Sequence, residues 1–433
     1  MSSHEQLLDY LKRAAAAQQL TRWYGNERQT PGRQAARYGT LVAGHRKQFG
    51  EGKDKVRLFS APGRVEVGGN HTDHNHGRVL AAAVNLDVIA AVTPATDYVI
   101  TVHSEGYGDP FRIDLSDLDA KEDEKETSSA LIRGICRAFR DRGYKIGGFN
   151  ACVTSDVAVG SGLSSSAAFE VLIATTLNHL FNGGDIPAKD IALMGQYAEN
   201  YYFGKPSGLM DQMTGAVGGL VTIDFQDPTN PLVRKLDFDF ASCGYDLVVV
   251  NTGGSHADLT PHYSAVATEM KAVATALGKN VLREVSFKEL TDSIKKVRRE
   301  VGDRAVLRAL HFFADNERVA QQVNALAARD VETFLRLVNE SGQSSWMLLQ
   351  NLYAPERPAE QGLALALAVT DQMLKGKGAC RVHGGGFAGT ILVFVPHELT
   401  ASYTDRMNDL FGDRAAQTLR VRSLGAGEVF PGC

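Results

Sequence analysis

Between Ala61 and Gly77 the chain reads APGRVEVGGNHTDHNHG, with four Gly and one Pro set among one Arg, one Glu, one Asp and three His. Glycine loses more backbone freedom on folding than any other residue, so such a stretch is not built for helix or strand stability. Close approach of the backbone to a ligand is the usual reason for it. Two chemistries fit the side chains. One is a metal cluster of His71, Asp73, His74 and His76; the other is a polar pocket for a small hydroxylated ligand.

At 433 residues the chain exceeds one ordinary core, which implies two domains. A net charge of −4 argues against nucleic acid and against an anionic membrane, since neither is drawn to that field. The basic run 295–299 is bracketed by Asp292 and Glu300 and reads as a solvated helix face. Cys136, Cys152, Cys243, Cys380 and Cys433 are scattered and odd in number, without CxxC spacing. That argues against a disulfide framework and a structural zinc site. The first residues are interrupted by charge too often for a secretory core, and no apolar run has the length of a membrane span. The expectation is a cytoplasmic protein.

Residues 1–54 read as a helical extension: Leu7, Leu8, Leu11 and Ala15 recur at helical spacing, as do Tyr38, Leu41, Val42 and His45. From Val56 the chain turns β-type, in VRLFSA, GRVLAAAVNLDVIAAVTP and YVITVHSEG. The turn at 94–97 predicts antiparallel pairing of the last two. A helix over 127–142 and a strand over 149–155 follow. Phe169, Ile173, Leu177 and Leu180 mark a helix that ends at Asn182-Gly183-Gly184; another starts after Pro187 and runs to Gly204. Strands are expected at 220–225, 245–251 and 390–395, with helices at 257–277, 287–300, 303–326, 330–350 and 358–375. Strands and helices without regular alternation argue for an α+β fold.

Three further segments carry chemistry. Val159, Gly160, Ser161, Gly162, Leu163, Ser164, Ser165 and Ser166 (VGSGLSSS) form a flexible turn between a strand and an apolar helix. A helix start is an anion site, because its first N–H groups lack intrahelical partners and the dipole favours negative charge. Serine hydroxyls add ligands for phosphate or Mg2+. The familiar G-x-x-x-x-G-K-[ST] loop is absent, so any nucleotide uses a different cradle. HGGGFAG at 383–389 precedes a strand. In GKPSGLMDQMTGAVGG, Asp211 is the lone carboxylate, suited to act as a general base or to pair with Arg64. Glu199 reads as an exposed residue on the polar side of its helix. No HExxH accompanies the histidines, which weakens a metallohydrolase.

In this order, APGR, the His-Thr-Asp run, GLSSSAA and GLMDQ resemble galactokinase, within the wider family of kinases for galactose, homoserine, mevalonate and phosphomevalonate. The resemblance spans about Val56 to Val395. It implies a two-domain kinase fold, with a ribosomal-protein-S5-like domain at 55–228 and a ferredoxin-like domain at 229–433. It also implies ATP-dependent phosphorylation of a sugar's anomeric hydroxyl. Asp211 would take the hydroxyl proton beside Arg64, Ser166 and Glu199 would hold Mg2+, and Val159 to Ser166 would wrap the phosphates of ATP. Asn70, His71, Thr72 and Asp73 would bind sugar hydroxyls, with Tyr263 against the sugar.

The chain departs from the family pattern at four places. Galactokinases usually carry Glu where this chain has Asn70, Tyr where it has His74, and Asn where it has Glu66; Tyr263 is followed by Ser264-Ala265-Val266-Ala267 rather than an Arg pair. An amide at position 70 removes a negative charge and adds donors. This admits a second substrate, galacturonate, whose carboxylate a Glu would repel. A sugar sensor without catalysis is a third possibility, opposed by the intact Arg64, Glu199, Asp211 and phosphate loop.

Overall fold

The computed structural model describes residues 3–25, 30–157, 162–205, 207–254 and 259–432. Val159, Gly160 and Ser161 of the expected phosphate loop therefore lie outside the described residues, as do Ala257, Asp258 and Cys433.

The chain opens with helices α1 (Ser3–Leu11), α2 (Ala14–Tyr24) and α3 (Thr30–Phe49). Strands β1 (Arg57–Gly68), β2 (Arg78–Pro94), β3 (Val99–Ser104), β4 (Phe111–Asp114) and β5 (Phe149–Ser155) follow, with α4 (Ser128–Asp141) before β5. Helices α5 (Ser165–Phe181), α6 (Ala188–Ala198) and α7 (Met210–Val217) lead to the hairpin β6 (Leu220–Asp224) and β7 (Leu232–Leu236). Next comes β8 (Tyr245–Asn251). After it run α8 (Thr260–Ala276), α9 (Phe287–Val301), α10 (Asp303–Ala327), α11 (Val331–Ser344) and α12 (Gly362–Leu374). Strands β9 (Ala379–Val382) and β10 (Thr390–Pro396), helix α13 (His397–Phe411), and strands β11 (Ala416–Leu419) and β12 (Gly427–Glu428) complete the chain.

Among the described residues these strands make two sheets. The larger runs β12-β1-β2-β5-β3-β4, with β6 on β2 and β7 on β6; the smaller runs β11-β8-β10-β9. β2 is the spine of the larger sheet. Its first half pairs with β6, its second half with β5, and β1 lies along its other edge. Such a near-continuous apolar strand requires cover on both faces. Successive residues supply it by alternation: Phe59, Ala90, Val92 and Val153 face the main core, whereas Leu58, Ile89, Ala91 and Cys152 face the other way. That second face is covered by Leu20, Trp23, Tyr38 and Val42 of α2 and α3. The helical extension is thus an outer layer of the sheet.

Two expectations are corrected. β3 does not pair with β2, because β5 lies between them, antiparallel to β2 and parallel to β3. The connection through β4 and α4 returns β5 into the sheet, so the short turn after Pro94 does not make a hairpin. Also, the first half of the glycine-rich stretch is strand. β1 extends to Gly68, with register shifts between Pro62 and Arg64 and between Glu66 and Gly68. These bulges re-aim side chains next to the site. A Cβ at Gly63 would lie 2.9 Å from Leu163 O, and one at Gly68 would lie 2.0 Å from Gln322 Oε1.

Helix α13 and strands β4, β7, β9, β11 and β12 were not anticipated. β7 and the tail strand β12 fall within residues 229–433 yet belong to the larger sheet, where Glu428 sits opposite Phe59. No helix among the described residues is long and apolar enough to cross a membrane.

Candidate active site

Three glycine-rich segments, far apart in sequence, meet: Arg64 donates to Gly162 O, Gly162 abuts Thr390, and His71 reaches Gly385 O. The turn into α5 comes from one side. Gly162 has φ 71° and a Cβ there would lie 2.1 Å from Thr390 Oγ1, so only glycine fits. Ser164, the residue before α5, is left-handed at φ 60°, a conformation that costs a non-glycine residue about 1–2 kcal/mol. Its hydroxyl donates to Asp211 Oδ2, which fixes the turn.

Asp211 opens α7 and faces Arg64 from β1. Nε and Nη2 of Arg64 each donate to one carboxylate oxygen at 2.7 Å, a two-pronged fork, while Nη1 donates to Gly162 O at 2.5 Å. Burial by itself would raise the Asp211 pKa. The guanidinium and the Ser164 hydroxyl outweigh it and hold the carboxyl below its ordinary value. Asp211 is therefore an anion at neutral pH.

Glu199 corrects the expectation of an exposed residue, since it is 2% exposed. It begins a π turn, Glu199–Phe203, at the end of α6. Such turns are frequent at functional sites. Glu199 Oε1 accepts from Ser166 Oγ at 3.2 Å and pairs with Lys205 Nζ at 3.0 Å. Oε2 accepts from Ser207 Oγ at 2.6 Å and Gln212 Nε2 at 2.8 Å. The same Gln212 nitrogen donates to Glu170 Oε2 at 2.9 Å. Glu170 is fully buried, and burial together with the nearby Glu199 charge raises its pKa well above the carboxylate range. Sequence reasoning missed Glu170. Its signal was present, as the lone charged residue in the apolar run of α5.

The remaining candidates lie on the turn between β1 and β2. His71 donates Nε2–H to Gly385 O at 3.0 Å. Burial and the neighbouring His74 push its pKa down to about 3, so the ring is neutral. Asp73 Oδ1 accepts the His74 N–H at 2.9 Å, and a Cβ at Gly208 would lie 1.7 Å from Asp73 Oδ2. Tyr263 donates to Gly386 O at 3.1 Å and lays its ring over Gly385. Helix α10 holds this turn from behind. Asp315 Oδ2 accepts the N–H groups of Gly69 and Asn70 at 3.1 and 2.9 Å, and His311 Nε2 donates to Asn70 O at 2.9 Å.

Asn70 and Thr72 differ from the sequence expectation. Asn70 is fully buried. Its amide donates to Glu66 Oε1 at 2.9 Å and Gly384 O at 2.8 Å, and its oxygen accepts from Asn351 at 2.9 Å and Ser345 at 3.3 Å. Every lone pair and N–H is engaged, so the side chain offers nothing to a sugar hydroxyl or carboxylate. Thr72, also buried, donates to Gly69 O at 2.9 Å and Arg78 O at 2.6 Å and so shapes the turn. Glu66, beside Asn70, accepts from Arg381 Nη2 at 2.7 Å. Among the described residues no group of three His, Cys, Asp or Glu side chains is arranged to hold a metal ion.

The site has close counterparts. Residues 43–94 match the galactokinase galactose-binding signature, and residues 130–219 match the GHMP kinases N terminal domain. A galactokinase of Streptomyces coelicolor is 30% identical over 387 residues, covering 88% of this chain and 95% of the relative. One from Glaesserella parasuis is 33% identical, over 78% of this chain and 85% of its own. In fold, the chain resembles Lactococcus lactis galactokinase complexed with galactose, with a TM-score of 0.76 at 23% identity over 89% of this chain and 98% of that one. A mevalonate kinase structure follows at TM-score 0.59 and 15% identity, covering 85% of this chain and 99% of that chain.

Proposed function

The chain belongs to the galactokinase family of small-molecule kinases, and we propose that it transfers the γ-phosphoryl group of ATP to the anomeric hydroxyl of galactose. The observation that carries this reading is the Arg64–Asp211 fork, braced by Ser164 at the start of α5. Phosphoryl transfer depends on positioning and on neutralising oxygen charge, and a sugar hydroxyl attacks only if its proton has somewhere to go. Asp211, kept ionised by Arg64, is the acceptor for that proton. The first turn of α5 supplies unpartnered N–H groups for phosphate oxygens.

Ser166 and Glu199 suit Mg2+: a hydroxyl and a carboxylate oxygen lie 3.2 Å apart, and the carboxylate already attracts a cation, the Lys205 ammonium. Bound there, Mg2+ would neutralise charge on the β- and γ-phosphate oxygens. On the sugar side, Asp73 accepts from adjacent hydroxyls, His71 offers Nδ1 as an acceptor, and Tyr263 provides an aromatic wall. Asn70 acts from behind, through the turn it holds. Its saturated amide leaves no donor for a uronate carboxylate, which favours neutral galactose.

An ADP-release assay of the purified protein with galactose, galacturonate, arabinose, N-acetylgalactosamine and glucose tests this. The expected result is the highest kcat/KM with galactose; a preference for galacturonate would reverse the substrate assignment. A second test is Gly208→Ala. The added methyl displaces the Asp73 carboxylate, so kcat/KM for galactose should fall about 10- to 100-fold while the KM for ATP stays within two-fold. An unchanged kcat/KM would remove Asp73 from the sugar site.

A further inference from the structure

We propose that Lys205 is a phosphate-binding residue of the transfer site, its ammonium contacting the transferred phosphoryl group. This rests on the kinase reading above and names a group that the reading does not require.

Lys205 lies in the segment between the π turn and α7. Its Nζ is 3.0 Å from Glu199 Oε1, the same oxygen that accepts from Ser166 in the first turn of α5. The ammonium is therefore one ligand away from the N–H groups that cradle phosphate. Both ends of its segment belong to the site. Ser207 donates to Glu199, and Gly208 presses against Asp73, so the segment bridges the phosphate side and the sugar side. The charge of Lys205 also reaches Asp211, where it helps to hold the carboxyl in its anionic form.

Two facts separate this from an ordinary surface ion pair. Glu199 does not need Lys205, because Ser166, Ser207 and Gln212 already donate to its two oxygens. Arg64, in contrast, is not free to follow the phosphoryl group: all three of its guanidinium nitrogens donate within the protein and its side chain is 7% exposed. The Lys205 side chain is 56% exposed, and its single ion pair is a weak restraint. Of these two cations, Lys205 is the one able to move with the charge.

In the transfer, the bond from Pγ to the bridging oxygen of ADP breaks as the bond from the anomeric oxygen to Pγ forms. ADP leaves with the electron pair, and the hydroxyl proton passes to Asp211. Lys205 forms no covalent bond and keeps its proton; it neutralises the non-bridging oxygens, where charge accumulates.

The experiment compares full-length wild type, Lys205→Met and Lys205→Arg by steady-state kinetics with MgATP and galactose, and by calorimetric binding of MgATP without sugar. Lys205→Met should lower kcat about 10- to 100-fold, leave the KM for galactose within two-fold, and weaken MgATP binding several-fold. Lys205→Arg should recover most of both losses. A kcat and an MgATP affinity within two-fold of wild type in Lys205→Met would overturn the proposal. The binding arm needs no sugar. If wild type turned over none of the sugars, the galactose reading would fail, while weaker MgATP binding by Lys205→Met would still uphold the role of Lys205.

Discussion

Asp211→Asn is expected to lower kcat by about two to four orders of magnitude, with the KM values for ATP and galactose changed only a few-fold. The amide keeps the shape of the side chain and can still accept one hydrogen bond from Arg64. It cannot take the proton of the anomeric hydroxyl. The pH profile gives an independent reading. The folded Asp211 pKa lies below the ordinary aspartate value, so the base is ionised throughout the neutral range and is lost only as pH falls through that lowered value. Wild-type kcat/KM should therefore show no acid limb from this group between pH 5 and 8. Turnover of Asp211→Asn within three-fold of wild type would remove Asp211 from proton transfer. An acid limb near pH 6 that disappears in the variant would instead mean that Arg64 does not hold the carboxyl in its anionic form.

The parts of this site that were legible in the sequence are those whose signal is local. The glycine and serine run before an apolar helix announces a turn opening into α5, and the structure places Gly162 and Ser164 in left-handed conformations there. GLMDQ isolates one carboxylate among glycines, and Asp211 faces Arg64 as read. What could not be read depends on partners far along the chain. Asn70 looked available to ligand because Glu66 alone of its partners lies nearby in sequence; the residues that complete its saturation are Ser345, Asn351 and Gly384. Glu199 looked exposed because its helix face is polar in sequence, yet Lys205, Ser207 and Gln212 gather around its carboxylate. The β2–β3 turn read as a hairpin because local turn chemistry cannot register a strand inserted from beyond α4. The same limit applies to the first 54 residues. Their helical pattern was plain, but the second sheet face they cover is visible only once β1, β2 and β5 are side by side.

That outer layer is tied to the sheet by one buried carboxylate, and its replacement should be the most damaging to stability. Asp87, on β2, is fully buried. Oδ1 accepts from Arg37 Nη1 of α3 at 2.5 Å. Oδ2 accepts from Tyr24 of α2 at 2.6 Å, from Arg422 Nη1 of the C-terminal tail at 3.1 Å, and from the Ser60 hydroxyl of β1. Arg422 is itself buried, its guanidinium 4.5 Å from the Trp23 ring. Asp87→Ala leaves two guanidinium groups and a tyrosine hydroxyl facing a hole. Breaking a buried ion pair by removing one partner costs about 3–5 kcal/mol, because the partner's charge remains desolvated. The variant should therefore unfold at clearly lower urea concentration. Asp87→Asn should lose nearly as much, since the amide restores shape but not charge. The pH dependence has a definite sign. Burial would raise the Asp87 pKa, but Arg37 and Arg422 outweigh it and hold the carboxyl below its ordinary value. Its contribution is then complete above the unfolded aspartate pKa and is lost as pH falls through the folded value. Wild type should lose stability on acidification below about pH 4, and Asp87→Asn should show a shallower loss over the same interval. Equal acid slopes, or a urea midpoint for Asp87→Ala unchanged from wild type, would show that α1–α3 are held by their apolar contacts alone.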